Sequence, residues 1–135
     1  MVLSETRSET RRVDHQPLVC VVDDDAAMLR ALRLLIAISG FCVETFTSAE
    51  AFLESRRARL VDCLVVDVHL GGLSGLDLQE GLASSGASIP VIVITAHDDG
   101  PTQERARRGG AVEYLTKPFD EEALIDAIHR AIGRS

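Results

Sequence analysis

Val61-Asp62-Cys63-Leu64-Val65-Val66-Asp67 decides how the rest of this chain is read. The run Leu64-Val65-Val66 is too short for a helix and does not alternate, the pattern of a strand buried on both faces of a parallel sheet. It ends abruptly in a carboxylate that packing does not ask for. Ligands of open α/β sheets bind at the carboxyl ends of the strands, so Asp67 is the candidate reactive residue.

The same pattern recurs on either side. Leu18 to Val22 is an apolar run ending in Asp23, Asp24 and Asp25. A helix follows from about Ala26 to Ser39, with Leu29, Leu32, Leu35 and Ile36 at helical spacing, Asp25 as its cap and Gly40 as its stop. Phe41 to Phe46 reads as a strand. Ser48 caps a short helix to about Arg56 with Phe52 and Leu53 inward. After Asp67, Val68 to Ser74 is a glycine-containing loop, and a helix covers Gly75 to Ala83 with Leu76, Leu78 and Leu82 as its apolar marks. Val91 to Ile94 is a central strand ending in Thr95. A fourth helix, capped by Asp98 to Gly100 with Pro101 in its first turn, runs to Arg108. Its polar residues surround one Ala106, so it is expected to be the loosest element, with Arg105, Arg107 and Arg108 forming a solvated face. Val112 to Leu115 leads to Thr116-Lys117-Pro118, and Asp120 to Ile132 forms the last helix. Alternating strands and helices imply a parallel sheet with helices on both faces and right-handed crossovers. Residues 1–16, polar and without apolar period, read as a flexible tail, and 17–135 as one domain.

Composition narrows the function. The 135 residues suffice for one ordinary core, and 46% apolar content fits a globular chain. Fourteen Lys and Arg against 21 Asp and Glu give a net charge of −7, which argues against direct nucleic-acid or membrane-surface binding. No apolar run approaches a membrane span and no signal-peptide core is visible, so a cytoplasmic protein is expected. Cys20, Cys42 and Cys63 fall in predicted strands and read as reduced core thiols.

In a parallel sheet the ends of the strands point one way. Asp23 and Asp24, Asp67, Thr95 and Lys117 therefore converge. Adjacent carboxylates repel one another by roughly 4 kcal/mol per pair at ~4 Å and an effective dielectric near 20, so exposure or a cation must relieve them. The constellation, with Val21-Val22-Asp23-Asp24-Asp25, Val65-Val66-Asp67, Ser74-Gly75, Val93-Ile94-Thr95-Ala96 and Lys117-Pro118-Phe119 in this order, resembles the receiver domain of two-component response regulators over about Leu18 to Ile132. Gly40-Phe41 followed by Thr45-Phe46-Thr47-Ser48-Ala49-Glu50-Ala51-Phe52-Leu53 resembles the FixJ-type subgroup.

The resemblance implies a flavodoxin-like (βα)5 three-layer sandwich with strand order 2-1-3-4-5. It implies that Asp67 is the phosphoacceptor for a sensor histidine kinase or a phosphotransfer protein. It implies Mg2+, with Mn2+ an acceptable substitute, held by Asp24 directly, Asp23 through water, Asp67 and the backbone carbonyl of His69. Lys117 would pair with Asp67 and then with a phosphoryl oxygen, across a cis Lys117-Pro118 peptide. Thr95 would hydrogen-bond the phosphoryl group where Ala96 leaves room. Thr95 and Tyr114 would then switch the face of helix 4, strand 5 and helix 5, which recruits a downstream protein or a second copy of the chain. The chemistry is self-catalysed phosphoryl transfer and slow autodephosphorylation, not enzymatic turnover.

Plainer readings stand beside these. Thr95 is also a strand-end hydroxyl able to satisfy backbone, Tyr114 an ordinary half-buried aromatic, and His69 and His97 solvated loop residues flanking the site. Gly71 stands where the family usually has proline, which loosens the loop. A Mg2+-dependent phosphohydrolase of haloacid-dehalogenase type is the enzyme alternative, but His69 occupies the position of its second Asp. A pseudo-receiver binding platform would lack an acid or the lysine. No helix-turn-helix follows Ile132, which leaves a single-domain regulator, a phosphate sink and a receiver cut from a longer transcription factor all open.

Overall fold

The computed structural model describes residues 16–133; the tail expected over 1–16 lies outside them apart from Gln16. Five strands, β1 (Leu18–Val22), β2 (Cys42–Phe46), β3 (Cys63–Asp67), β4 (Val91–Thr95) and β5 (Glu113–Thr116), form one parallel sheet in the order β2-β1-β3-β4-β5. The helices are α1 (Ala26–Ile38), α2 (Ala49–Ser55), α3 (Gly75–Ser84), α4 (Gly100–Arg108) and α5 (Glu121–Ala131). The sheet order and element count agree with the flavodoxin-like expectation.

Period-two alternation divides the central strands between two cores. Val19, Val21, Val65, Ile92 and Ile94 pack with α1 and α5 through Leu29, Leu32, Ile36, Leu124 and Ile128. Val22, Leu64, Val66 and Val93 face the other way, onto Phe52, Leu76, Leu78, Leu82 and Ala106. β1, β3 and β4 are buried throughout, as their unbroken apolar runs require. Asp25 is the cap of α1, its Oδ1 accepting from the N–H groups of Ala27 at 3.0 Å and Met28 at 3.2 Å. Among the described residues no helix is long and apolar enough to cross a membrane.

Several expectations are corrected. Leu53 is 44% exposed, because Ala49 and Phe52 set the inward face of the seven-residue α2 and Leu53 lies about 100° beyond it. A 3-10 turn at Arg57–Arg59 follows Arg56, whose φ of 60° ends α2. Cys20 and Cys63 are core thiols, but Cys42 opens an edge strand and is exposed. β5 begins one residue late, at Glu113, leaving Val112 exposed.

α4 does bury only Ala106, but it is not free. Arg105 is half-exposed but not free: Nε and Nη2 each donate to Glu80 of α3 at 2.8 Å, and Nη2 also reaches Asp77 at 2.9 Å. Gln79 of α3, buried, donates to the Ala106 carbonyl at 3.1 Å, while its own Oε1 has no partner. A fork this open to water is screened and adds little to stability. α4 is therefore held by a few polar contacts in place of an apolar seam.

Candidate functional site

β1 and β3 are neighbours, with Val22 opposite Val66, so the residues that end them come together. Asp23 and Asp67 lie at the rim of the buried sheet, 0% and 5% exposed, and Asp24, the next residue along β1's exit, turns out to solvent. Each of the three offers a carboxylate oxygen within 4.8 Å of the others.

Lys117 arrives from the end of β5 and binds both buried acids. Its Nζ donates to Asp23 Oδ2 at 3.0 Å and Asp67 Oδ2 at 3.1 Å. The Lys117–Pro118 peptide is cis. The second oxygens face backbone: Asp23 Oδ1 accepts from Asp25 N–H at 2.9 Å, and Asp67 Oδ1 from His69 N–H at 3.2 Å. Burial pulls the Lys117 ammonium down, but its hydrogen bonds to Asp23 and Asp67 outweigh that and hold it above the ordinary lysine value. Desolvation raises Asp67; the hydrogen bond from Lys117 offsets part of this, and the charge of the neighbouring Asp23 adds to the rise.

That imbalance is measurable. Between the ordinary carboxyl value of 3.8 and the raised value of Asp67, the native chain holds a proton that the unfolded chain releases. Stability therefore falls as pH climbs through that window. Asp67→Asn leaves one buried acid for one ammonium and is expected to be about 1 kcal/mol more stable than the native chain at pH 7. The advantage should close as pH falls toward 4. Urea melts of both chains at the two pH values check it, and an equal gap at both would refute it.

Thr95 is fully buried, and its hydroxyl is engaged in its own loop, accepting from His97 N–H at 3.0 Å and donating to the His97 carbonyl at 3.2 Å. The plain strand-end reading describes it in this conformation. Ala96 beside it is exposed. His69 and His97, from the loops after β3 and β4, meet edge to face with ring centroids 5.1 Å apart. Nothing in their sequence separation signals that pairing. Tyr114 pairs with Val93 across β4 and β5, and its hydroxyl is out of solvent with no hydrogen bond of ordinary geometry. Burial, then the nearby Asp98 carboxylate, pushes the phenol up to about 12.

The arrangement is an acidic cluster at the topological switch point of a doubly wound sheet, with one ammonium bound between two of its carboxylates. Its donors are all oxygens, which suits a hard divalent cation such as Mg2+ better than zinc or copper. The response regulator receiver domain model matches residues 19–129, and the chain belongs to that family. It is 46% identical over 117 residues to Nodulation protein W of Bradyrhizobium diazoefficiens, covering 87% of this chain and 52% of that protein. It is 43% identical to the transcriptional regulatory protein FixJ of Azorhizobium caulinodans, over 87% of this chain and 56% of that one. The structure of response regulator StyR matches with a TM-score of 0.81 at 48% identity, covering 87% of this chain and 59% of StyR. These relatives support the FixJ-type assignment and set aside the phosphohydrolase alternative. The chain spans about half the length of the curated relatives it matches.

Proposed function

We propose that the chain accepts a phosphoryl group on Asp67 from the phosphohistidine of a sensor kinase or phosphotransfer protein, in the cytoplasm, and that this resets the face formed by α4, β5 and α5. The observation that carries the reading is the single ammonium of Lys117 shared by two buried carboxylates beside an exposed third. Asp23, Asp24, Asp67 and the His69 carbonyl would hold Mg2+, or Mn2+ in its place. When bound, the ion would neutralise the crowded carboxylates and the incoming phosphoryl oxygens.

A carboxylate oxygen of Asp67 attacks phosphorus, the bond from phosphorus to the donor nitrogen breaks, and the electron pair leaves with the imidazole. Lys117 follows the charge from Asp67 Oδ2 to a phosphoryl oxygen. Thr95 gives up its two bonds with His97 and turns its hydroxyl to the phosphoryl group, and Tyr114 fills the space released. The weak hold on α4 supports this part of the reading. Elements that move come from the low-stability end of a fold. α4 buries only Ala106, and two buried polar atoms packed nearby in the fold, Gln79 Oε1 and Tyr114 Oη, have no hydrogen bond of ordinary geometry. A downstream protein or a second copy of the chain would read the new face.

Intact mass after incubation with acetyl phosphate tests the proposal. The native chain should gain one phosphoryl group in Mg2+ and none in chelator, and Asp67→Asn should gain none. A folded native chain that gains nothing points to the pseudo-receiver reading; a gain that survives in Asp67→Asn means another acid reacts.

A further inference from the structure

We propose that Glu50, a solvent-exposed residue of α2, is a positioning residue that fixes the loop after Asp67 and so sets the site's affinity for its cation. The inference deepens the reading of Asp67 as phosphoacceptor and rests on it.

The loop of residues 68–74 carries adjacent glycines, Gly71 and Gly72, and would wander if left alone. Its base is fixed by Val68 N–H donating to the Ile94 carbonyl at 2.9 Å and Gly75 N–H to the Val68 carbonyl at 3.0 Å. Its far end joins α3, where Ser74 N–H donates to Asp77. Between those anchors, Leu73 N–H donates to Glu50 Oε2 at 3.0 Å, a bond that spans 23 positions of sequence. Glu50 also lies flat on the loop. A Cβ at Gly72 would stand 3.0 Å from Glu50 Cδ and 3.1 Å from Oε1, and nearer still to Oε2. A side chain at Gly72 would therefore push the Glu50 carboxylate, the free end of a flexible side chain, off its place on the loop.

Glu50 stands on a firm base. It occupies the first turn of α2, capped by Ser48, between the fully buried Ala49 and Phe52. A carboxylate is favoured at a helix N-terminus, and the Leu73 N–H holds this one below the ordinary glutamate value. Its contact with the loop gives it no part in the core. What it does orient is the backbone that carries His69, whose N–H reaches Asp67 Oδ1 and whose carbonyl is the proposed fourth protein ligand. Partners that orient metal ligands typically change affinity 10–100-fold when removed. Glu50 acts one step further out, so a smaller change is expected.

The test uses the native chain, Glu50→Ala, Glu50→Gln, Gly72→Ala and the double variant Glu50→Ala/Gly72→Ala. Mg2+ binding is measured by calorimetry, and phosphorylation by acetyl phosphate is measured against Mg2+ concentration. Glu50→Ala should weaken Mg2+ binding about fivefold. The Mg2+ midpoint of phosphorylation should rise to match, while the rate at saturating Mg2+ falls less. Glu50→Gln, which keeps an acceptor oxygen, should recover most of the loss. Gly72→Ala should resemble Glu50→Ala, and the double variant should be no worse than either, because both act on one contact. Native Mg2+ affinity in Glu50→Ala overturns the proposal, and so does additivity in the double variant. A native chain that binds Mg2+ but takes no phosphoryl group refutes the phosphoacceptor reading instead; the calorimetric comparison still decides the role of Glu50.

Discussion

Lys117→Met is expected to cost about 3 kcal/mol of stability at pH 7 in the presence of chelator, with much of the loss restored by Mg2+. The reason is the charge count at the site. Asp23 is sealed off and Asp67 nearly so, and both lean on one ammonium whose side chain is only 15% exposed. Removing it leaves two buried carboxylates facing each other, with backbone N–H groups as their only hydrogen-bond donors among the described residues. Breaking a buried pair costs about 3–5 kcal/mol; the lower end applies because the exposed Asp24 marks a side open to water. Lys117 is held above the ordinary lysine value of 10.5, so its contribution is fully present at neutral pH and is lost only as pH rises through that higher value. At acid pH the relief comes from the other partner. Protonating Asp67 removes one of the stranded charges, and the deficit of the variant should shrink. Urea unfolding with chelator, with Mg2+ and at pH 4 separates these terms. A variant as stable as the native chain in chelator would mean that the acids are already neutralised by solvent, and the site's electrostatics would need rebuilding.

The contrast between what the sequence made legible here and what it hid has a physical basis. β1, β3 and β4 were legible because a strand covered on both faces must be apolar without a break, and because parallel pairing sends every carboxyl end to one edge. That alone brought Asp23, Asp67 and Lys117 into one cluster. Which carboxylate the lysine would choose was not legible. Asp67 alone was the expectation, and the structure adds Asp23, since the choice depends on side-chain reach across three strands. Thr95 was placed correctly on β4, but its rotamer is set by the loop carbonyl and N–H of His97, a local competition that pattern reading does not resolve. The ion pairs of Arg105 were not legible because its partners Glu80 and Asp77 lie on another helix. Leu53 failed for the converse reason: on so short a helix, apolar character does not fix the face. Nothing in the sequence marks the contact of Glu50 with the loop, and Gly72 read only as one of two loop glycines where the structure shows a close contact.

Gly75→Ala is expected to cost about 2–3 kcal/mol and to slow phosphorylation sharply. Gly75 opens α3, and an added Cβ there would lie 2.8 Å from the carbonyl carbon of Asp67 and 3.0 Å from Val66 Cγ2, with the Asp67 carbonyl oxygen closer still. Two of these three contacts are backbone, which has no rotamer by which to yield. β3 is itself locked between β1 and β4, so the strain falls on α3 or on the peptide that carries the phosphoacceptor. Either response moves Asp67 relative to Lys117, whose bond to it is already 3.1 Å long. Gly71 is the matched control. A Cβ there meets nothing within 4 Å, and its φ is not in the left-handed region. Gly71→Ala should be neutral or stabilise by about 0.5 kcal/mol through the unfolded chain. Thermal unfolding and the acetyl phosphate assay on both variants give the comparison. Equal behaviour would mean that the loop tolerates side chains generally and that α3 does not brace the phosphoacceptor. A large loss at Gly75 alone would show that the close packing of α3 on the end of β3 holds the reactive carboxylate in place.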